Sequence, residues 1–171
     1  MQTLSLAETG HLPLHLTRFL LADLITDVTS SFSAQAAAQG IQLTAANADP
    51  SLELSADYDR LNQVLSNLVS NALRHTPSDG QVAIETEAVT GEKRRARIKV
   101  KDSGAGIASD DLPFIFDRFW RGDRSRSDRA HSGLGLAITR QLVQAHGGEI
   151  RVQSGLGEGT MFVIELPIPA I

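Results

Sequence analysis

Asn67-Leu68-Val69-Ser70-Asn71-Ala72-Leu73-Arg74-His75-Thr76-Pro77 decides how this chain is read. At roughly 100° per residue, Asn67, Asn71 and Arg74 fall on one stripe of a helix. Leu61, Val64, Leu65, Leu68, Val69 and Ala72 make the adjacent apolar stripe, which can face a core. The amides therefore border the core instead of standing in open water. Asparagine is a poor helix former, and two of them one turn apart need a reason beyond helix propensity. His75 closes the helix where the dipole favours it, and Pro77 begins a turn.

Working outward, Asp57 and Asp59 make the first turn of this helix acidic, as the macrodipole prefers. Upstream, Asp23 opens an expected helix that runs toward Gly40 with Leu24, Val28, Phe32 and Ala36 at helical spacing. Residues 41–44 and 52–56 read as short strands, residues 1–16 as a lead-in, and residues 15–20, just before the first helix, as a strand or linker. Downstream, residues 81–86 and 95–101 read as an antiparallel pair. In the second of these, Ala96, Ile98 and Val100 share one face, so the basic run Lys93 to Lys101 is a solvated strand face and not a nucleic-acid patch. Residues 134–145 return to helical periodicity. Residues 149–153 and 161–166 form a closing hairpin around Gly155, Gly157 and Gly159. The sum is an α+β two-layer sandwich, with a mixed, mostly antiparallel sheet and its helices on one face.

The bulk numbers agree with one ordinary globular domain: 171 residues, 42% hydrophobic and 21% charged. The chain has no cysteine, which excludes disulfides and thiolate metal sites. Its formal net charge of −4 argues against a nucleic-acid partner. No apolar run approaches the roughly 20 residues of a membrane span, so no direct membrane contact is expected of these residues.

Three glycine segments follow the asparagine helix: Asp102-Ser103-Gly104-Ala105-Gly106-Ile107, Ser132-Gly133-Leu134-Gly135-Leu136-Ala137 and Gly157-Glu158-Gly159-Thr160. Each alone is weak, since a tight turn explains a glycine pair. The second opens a helix, where free N–H donors and the dipole suit phosphate. The P-loop pattern Gly-x-x-x-x-Gly-Lys-Ser/Thr is absent, and neither glycine pair continues into the dinucleotide fingerprint.

The order of these motifs resembles the N, G1, F, G2 and G3 boxes of sensor histidine kinases, within the GHKL nucleotide-binding superfamily. The resemblance covers residues 52–167. It implies the Bergerat ATP-binding fold, with ATP and Mg²⁺ as cofactors. Asn71 would hold Mg²⁺ through its amide oxygen. Asn67 would orient the phosphate and metal region, Arg74 approach the phosphates, and His75 lie beside the nucleoside. Asp102 would accept the adenine amino group, Gly104, Gly106 and Ile107 lie under the base, and Thr160 support the pocket. Phe116, Arg118, Phe119 and Arg121 match the F box, followed by a lid rich in arginine. Ser132, Gly133, Leu134, Gly135 and Leu136 would close that lid over the triphosphate. Phe114, Phe116 and Phe119 are expected to anchor it as core.

Hydrolytic members of the superfamily carry a glutamate, as general base, one turn before the metal-binding asparagine. Here that position is Asn67, which implies stored ATP and transfer to an external nucleophile. The phosphorylated histidine of the family lies in a separate dimerisation domain, and none of His11, His15, His75, His131 or His146 stands in its motif. By the resemblance, residues 1–16 are the tail of that domain and residues 17–171 the catalytic domain. The implied partners are the dimerisation domain of the same kinase and a response regulator. The catalytic unit is expected to be monomeric, the full protein a homodimer, and the location cytoplasmic, with or without an inner-membrane anchor. The competing reading is a stand-alone GHKL module, such as an anti-sigma-factor-like serine kinase or an ATP sensor.

Overall fold

A computed structural model describes residues 13–117 and 135–168. In chain order these form β1 (Thr17–Leu20), α1 (Leu21–Ala38), β2 (Gln42–Asn47), β3 (Glu53–Ala56), α2 (Tyr58–His75), β4 (Gln81–Val89), β5 (Arg95–Asp102), a 3₁₀ turn (Leu112–Phe114), α3 (Gly135–Ala145), β6 (Glu149–Ser154) and β7 (Thr160–Pro167).

Five strands build the main sheet in the order β2-β4-β5-β7-β6. The β4-β5, β5-β7 and β6-β7 pairs are antiparallel, while β2 runs parallel to β4. A parallel pair needs a crossover, and β3 with α2 provides it. β1 and β3 form a separate two-stranded antiparallel sheet, with Thr17 opposite Ala56 and Leu20 opposite Glu53.

Alternation decides which face is covered. Val82 and Ile84 on β4, Ala96, Ile98 and Val100 on β5, and Phe162, Ile164 and Leu166 on β7 are all buried. The helices close over them with Leu24, Ile25 and Val28 of α1, with Leu61, Val64, Leu65, Leu68 and Val69 of α2, and with Leu142 and Val143 of α3. Each fully buried Leu, Ile or Val contributes roughly 1.5–3 kcal/mol by leaving water, before the entropy of ordering it. The mostly antiparallel two-layer arrangement is the one the periodicity predicts.

The other face of the sheet is charged. Arg97 bonds Glu165 at 2.8 Å and Glu87 at 3.1 Å, Lys101 bonds Glu85 at 3.0 Å, and Arg151 reaches Glu165 at 3.5 Å. Burial pushes the Glu165 carboxyl up, but its bond to Arg97 and the neighbouring arginines hold it below its ordinary value. The basic run is thus a strand face, balanced by glutamates on the strands beside it.

One boundary differs from expectation. The stretch after the lead-in, read as strand or linker, is the strand β1, and α1 begins at Leu21, so Asp23 sits inside its first turn. Thr17 and Arg18 are exposed, so β1 shows no hydrophobic alternation in the sequence.

Candidate functional site

The site lies where the core-facing columns of the sheet turn polar. Asp102 of β5 stands opposite Thr160 of β7, and Thr160 stands opposite Ser154 of β6. Registered partners in an antiparallel sheet share a face. These three therefore extend the columns of Val100, Phe162 and Val152, with carboxyl and hydroxyl groups in place of methyls.

The Asp102 carboxyl accepts the Gly104 N–H at 2.9 Å and is also bonded by the backbone N–H of Thr160. Burial pushes it above the ordinary carboxylate range, and the two N–H groups pull the other way without cancelling it. Next in the row, Ser154 Oγ donates to the Gly159 carbonyl at 2.8 Å and accepts the Ile107 N–H at 2.7 Å. It lies 2.8 Å from Thr160 Oγ1.

Two loops meet in front of this row, and their glycines are required by contact. A Cβ on Gly106 would fall 2.0 Å from the Gly155 carbonyl oxygen, and Gly106 has φ +80°. On Gly159, with φ +76°, it would fall 2.1 Å from the Asp102 carbonyl oxygen. On Gly104 it would strike the His75 carbonyl oxygen at 2.3 Å. The Gly157 N–H donates to the Ala105 carbonyl at 2.8 Å, closing the two loops on each other. Gly135 differs: a Cβ there meets nothing within 4 Å.

The polar stripe of α2 borders the same region. Gly104 rests on the carbonyl of His75, so the C-terminus of α2 abuts the first glycine loop. Asn71 is half-buried, and its Oδ1 accepts Arg74 Nη2 at 3.0 Å. An amide oxygen has two lone pairs, so one remains for a hard cation. Among the described residues no three of His, Cys, Asp or Glu gather into a metal-binding cluster. Asn67 Nδ2 lies 3.3 Å from both the Gly135 carbonyl and Thr139 Oγ1, which ties α2 to the first turn of α3. The His75 ring is exposed.

Phe116 is half-buried and meets Phe162 edge-on at 6.1 Å, with the Arg140 guanidinium 5.5 Å from its ring centre. Phe114 departs from the expected anchor role, being 51% exposed. The structure thus brings Asp102, Gly104, Gly106, Ile107 and Thr160 together at one end of the sheet with Gly104 against His75, while Asn71 and Arg74 pair on the last turns of α2, Asn67 lies against Gly135 at the start of α3, and Leu136 packs against the core. Arg118, Phe119, Arg121, Ser132, Gly133 and Leu134 lie outside the described residues. Sequence reasoning missed Ser154 and Thr139. The alternation Ile150-Val152-Ser154 marks Ser154 as a core-facing position, and that signal was available.

Residues 56–170 match the profile of the histidine kinase-, DNA gyrase B- and HSP90-like ATPase family. The sensor histidine kinase WalK of Bacillus subtilis (strain 168) is 42% identical over 120 residues, which are 70% of this chain and 20% of WalK. The chain spans about a fifth to a third of the length of the curated relatives it matches first. The nucleotide-free catalytic domain of histidine kinase ThkA superposes with a TM-score of 0.79 at 29% identity, covering 91% of this chain and 97% of that one. ThkA in complex with the response regulator protein TrrA superposes at 0.76 and 27% identity, covering 98% and 47%. Full-length ShkA in complex with AMPPNP superposes at 0.85 and 31% identity, covering 99% and 34%. Fold, ordered boxes and relatives agree: the chain belongs to the histidine kinase-, DNA gyrase B- and HSP90-like ATPase family, and its relatives there are sensor histidine kinases.

Proposed function

We propose that this chain binds Mg-ATP and donates the γ-phosphoryl group to a histidine of a separate dimerisation domain, for relay to a response-regulator aspartate. Residues 17–171 would form the catalytic domain and residues 1–16 the tail of the dimerisation domain. The start of β1 at Thr17 supports that division.

The observation that carries the kinase reading is Asn67. Where hydrolytic members of the superfamily hold a carboxylate, this chain has an amide whose Nδ2 is directed at two oxygens. An amide takes no proton from water, so bound ATP waits for a better nucleophile. The remaining work is positioning and electrostatics. Asp102 accepts the adenine amino group, and the close approach that Gly104, Gly106 and Gly159 allow leaves bare backbone surface for the base. Asn71 offers its amide oxygen to Mg²⁺, with Arg74 beside it to face the phosphates and His75 near the nucleoside. Bound Mg²⁺ supplies charge neutralisation at the phosphate oxygens. An unprotonated imidazole nitrogen then forms the N–P bond as the bond from the γ-phosphorus to the β,γ-bridging oxygen breaks, leaving ADP. Arg118 and Arg121 are assigned to the phosphates by family resemblance alone.

The test combines the domain, γ-labelled ATP, Mg²⁺ and a cognate dimerisation domain. Acid-labile, base-stable phosphohistidine should form, and Asn71→Ala should lower its rate at least about 100-fold, the scale of a lost transition-state contact. Nucleotide binding without any phosphohistidine would favour the stand-alone module instead.

A further inference from the structure

Ser154 has one hydroxyl proton and two lone pairs, and all three are accounted for. The Gly159 carbonyl can only accept, so the Ser154 proton is committed to it at 2.8 Å. One lone pair takes the Ile107 N–H at 2.7 Å. The other faces Thr160 Oγ1 at 2.8 Å. With no proton left on Ser154 for this contact, Thr160 is the donor. Its own proton is then spent, and Thr160 can meet a ligand only as an acceptor. Asp102, opposite Thr160 in the sheet, is likewise an acceptor when ionised.

We propose that Ser154 is a specificity-determining positioning residue: by consuming the Thr160 proton it keeps the base site acceptor-only beside Asp102, so that a 6-aminopurine is taken and a 6-oxopurine refused. The inference rests on the reading of Asp102 as the base-recognition residue. An amino group at the 6-position brings donors to this row. An oxo group brings a third acceptor, which must leave water and find no partner. Without the Ser154 hydroxyl, the Thr160 O–H is released to rotate and donate to the oxo group.

Adenosine and inosine diphosphates test this, because they share the phosphates and the ribose. Calorimetry on the whole chain should show ADP binding about 100-fold tighter than IDP, the scale expected where a polar site refuses an unmatched ligand. In Ser154→Ala the ADP/IDP ratio should narrow about tenfold, as one acceptor becomes a donor. Circular dichroism would verify that the variant folds. Thr160→Val, which removes the hydroxyl itself, should also narrow the ratio, and adding Ser154→Ala to it should change the ratio no further. A folded Ser154→Ala with the parent's ratio overturns the proposal. So does a further narrowing in the Thr160→Val background, which would mean that Ser154 acts by some other route. A parent that prefers neither nucleotide would instead defeat the adenine reading of Asp102, and this inference with it.

Discussion

At the residue scale, Asp102 shows the conflict between fold and site most clearly. Its folded pKa is raised by burial, so the native state favours the protonated form. The linkage sign follows: its contribution to stability is greatest below the unfolded carboxylate value of about 3.9 and is lost as pH rises through the folded value. At neutral pH the fold therefore carries a buried charge at a cost, offset in part by the Gly104 and Thr160 N–H groups. The return is a charged acceptor at the end of β5. Asp102→Asn should weaken ADP binding about 10–100-fold, the worth of a hydrogen bond to a charged partner, and leave the melting temperature within about 5 °C. In the parent, affinity should fall more steeply with decreasing pH than in the variant, where only the ADP phosphate and the groups common to both proteins titrate. Calorimetry between pH 8 and pH 4.5 measures both, and equal affinity in parent and variant would remove Asp102 from the base site.

At the element scale, Asp57 binds three parts of the fold together. As N-cap of α2 it accepts the Arg60 N–H at 3.1 Å, and its other oxygen accepts the His15 N–H at 2.9 Å. Its own backbone N–H donates to His146 Nε2 at 3.1 Å, which leaves Nδ1–H of that ring to donate to the Leu142 carbonyl at 2.8 Å. The start of α2, the entering chain and the end of α3 thus meet at one residue. Burial pushes the Asp57 carboxyl up, but the His15 and Arg60 N–H groups and the charge of Arg60 hold it below its ordinary value. A lowered folded pKa stabilises above the unfolded value and loses that stabilisation as pH falls through the folded one. Asp57→Ala should cost about 1–2 kcal/mol at pH 7, the upper range of a cap. The difference from the parent should shrink below about pH 4, where urea denaturation reads it. The acidic start of the helix was legible, but Asp57 was read as part of the first turn, whereas it is the cap just before it. His15 and His146 were not, since their sequence separations from Asp57 of 42 and 89 residues carry no periodic signal. β1 was legible only as a strand or linker: its exposed Thr17 and Arg18 give it no apolar alternation, and pairing with β3 decides for the strand.

At the scale of the whole molecule, the sequence foretold the two-layer architecture because long elements with clean periodicity, α2 above all, dominate the core. The parallel pairing of β2 with β4 depends on the crossover through α2 and is invisible to local patterns. Of the candidate site, Asn67, Asn71 and Asp102 stand out in the sequence as residues, but how they are held does not. Asn67 is the clearest case. Read as a group facing phosphate, its amide also bridges the seam between α2 and α3, with Nδ2 3.3 Å from the Gly135 carbonyl and from Thr139 Oγ1. Thr139 is fully buried and donates its own proton to Gly135 at 2.7 Å. The seam therefore needs a donor at position 67. Asn67→Ala removes that donor and should cost about 1 kcal/mol. Asn67→Asp should cost more, about 2–3 kcal/mol, because a half-buried carboxylate would face two oxygens. The single Thr139 proton can then serve Gly135 or the new carboxylate, but not both. Urea denaturation of the three proteins at pH 7 orders them, and an aspartate variant as stable as the alanine one would show that the amide is not holding the helices together. If the order stands, a hydrolase-like acid cannot be introduced at this position without loosening α3, the helix against which the site is built.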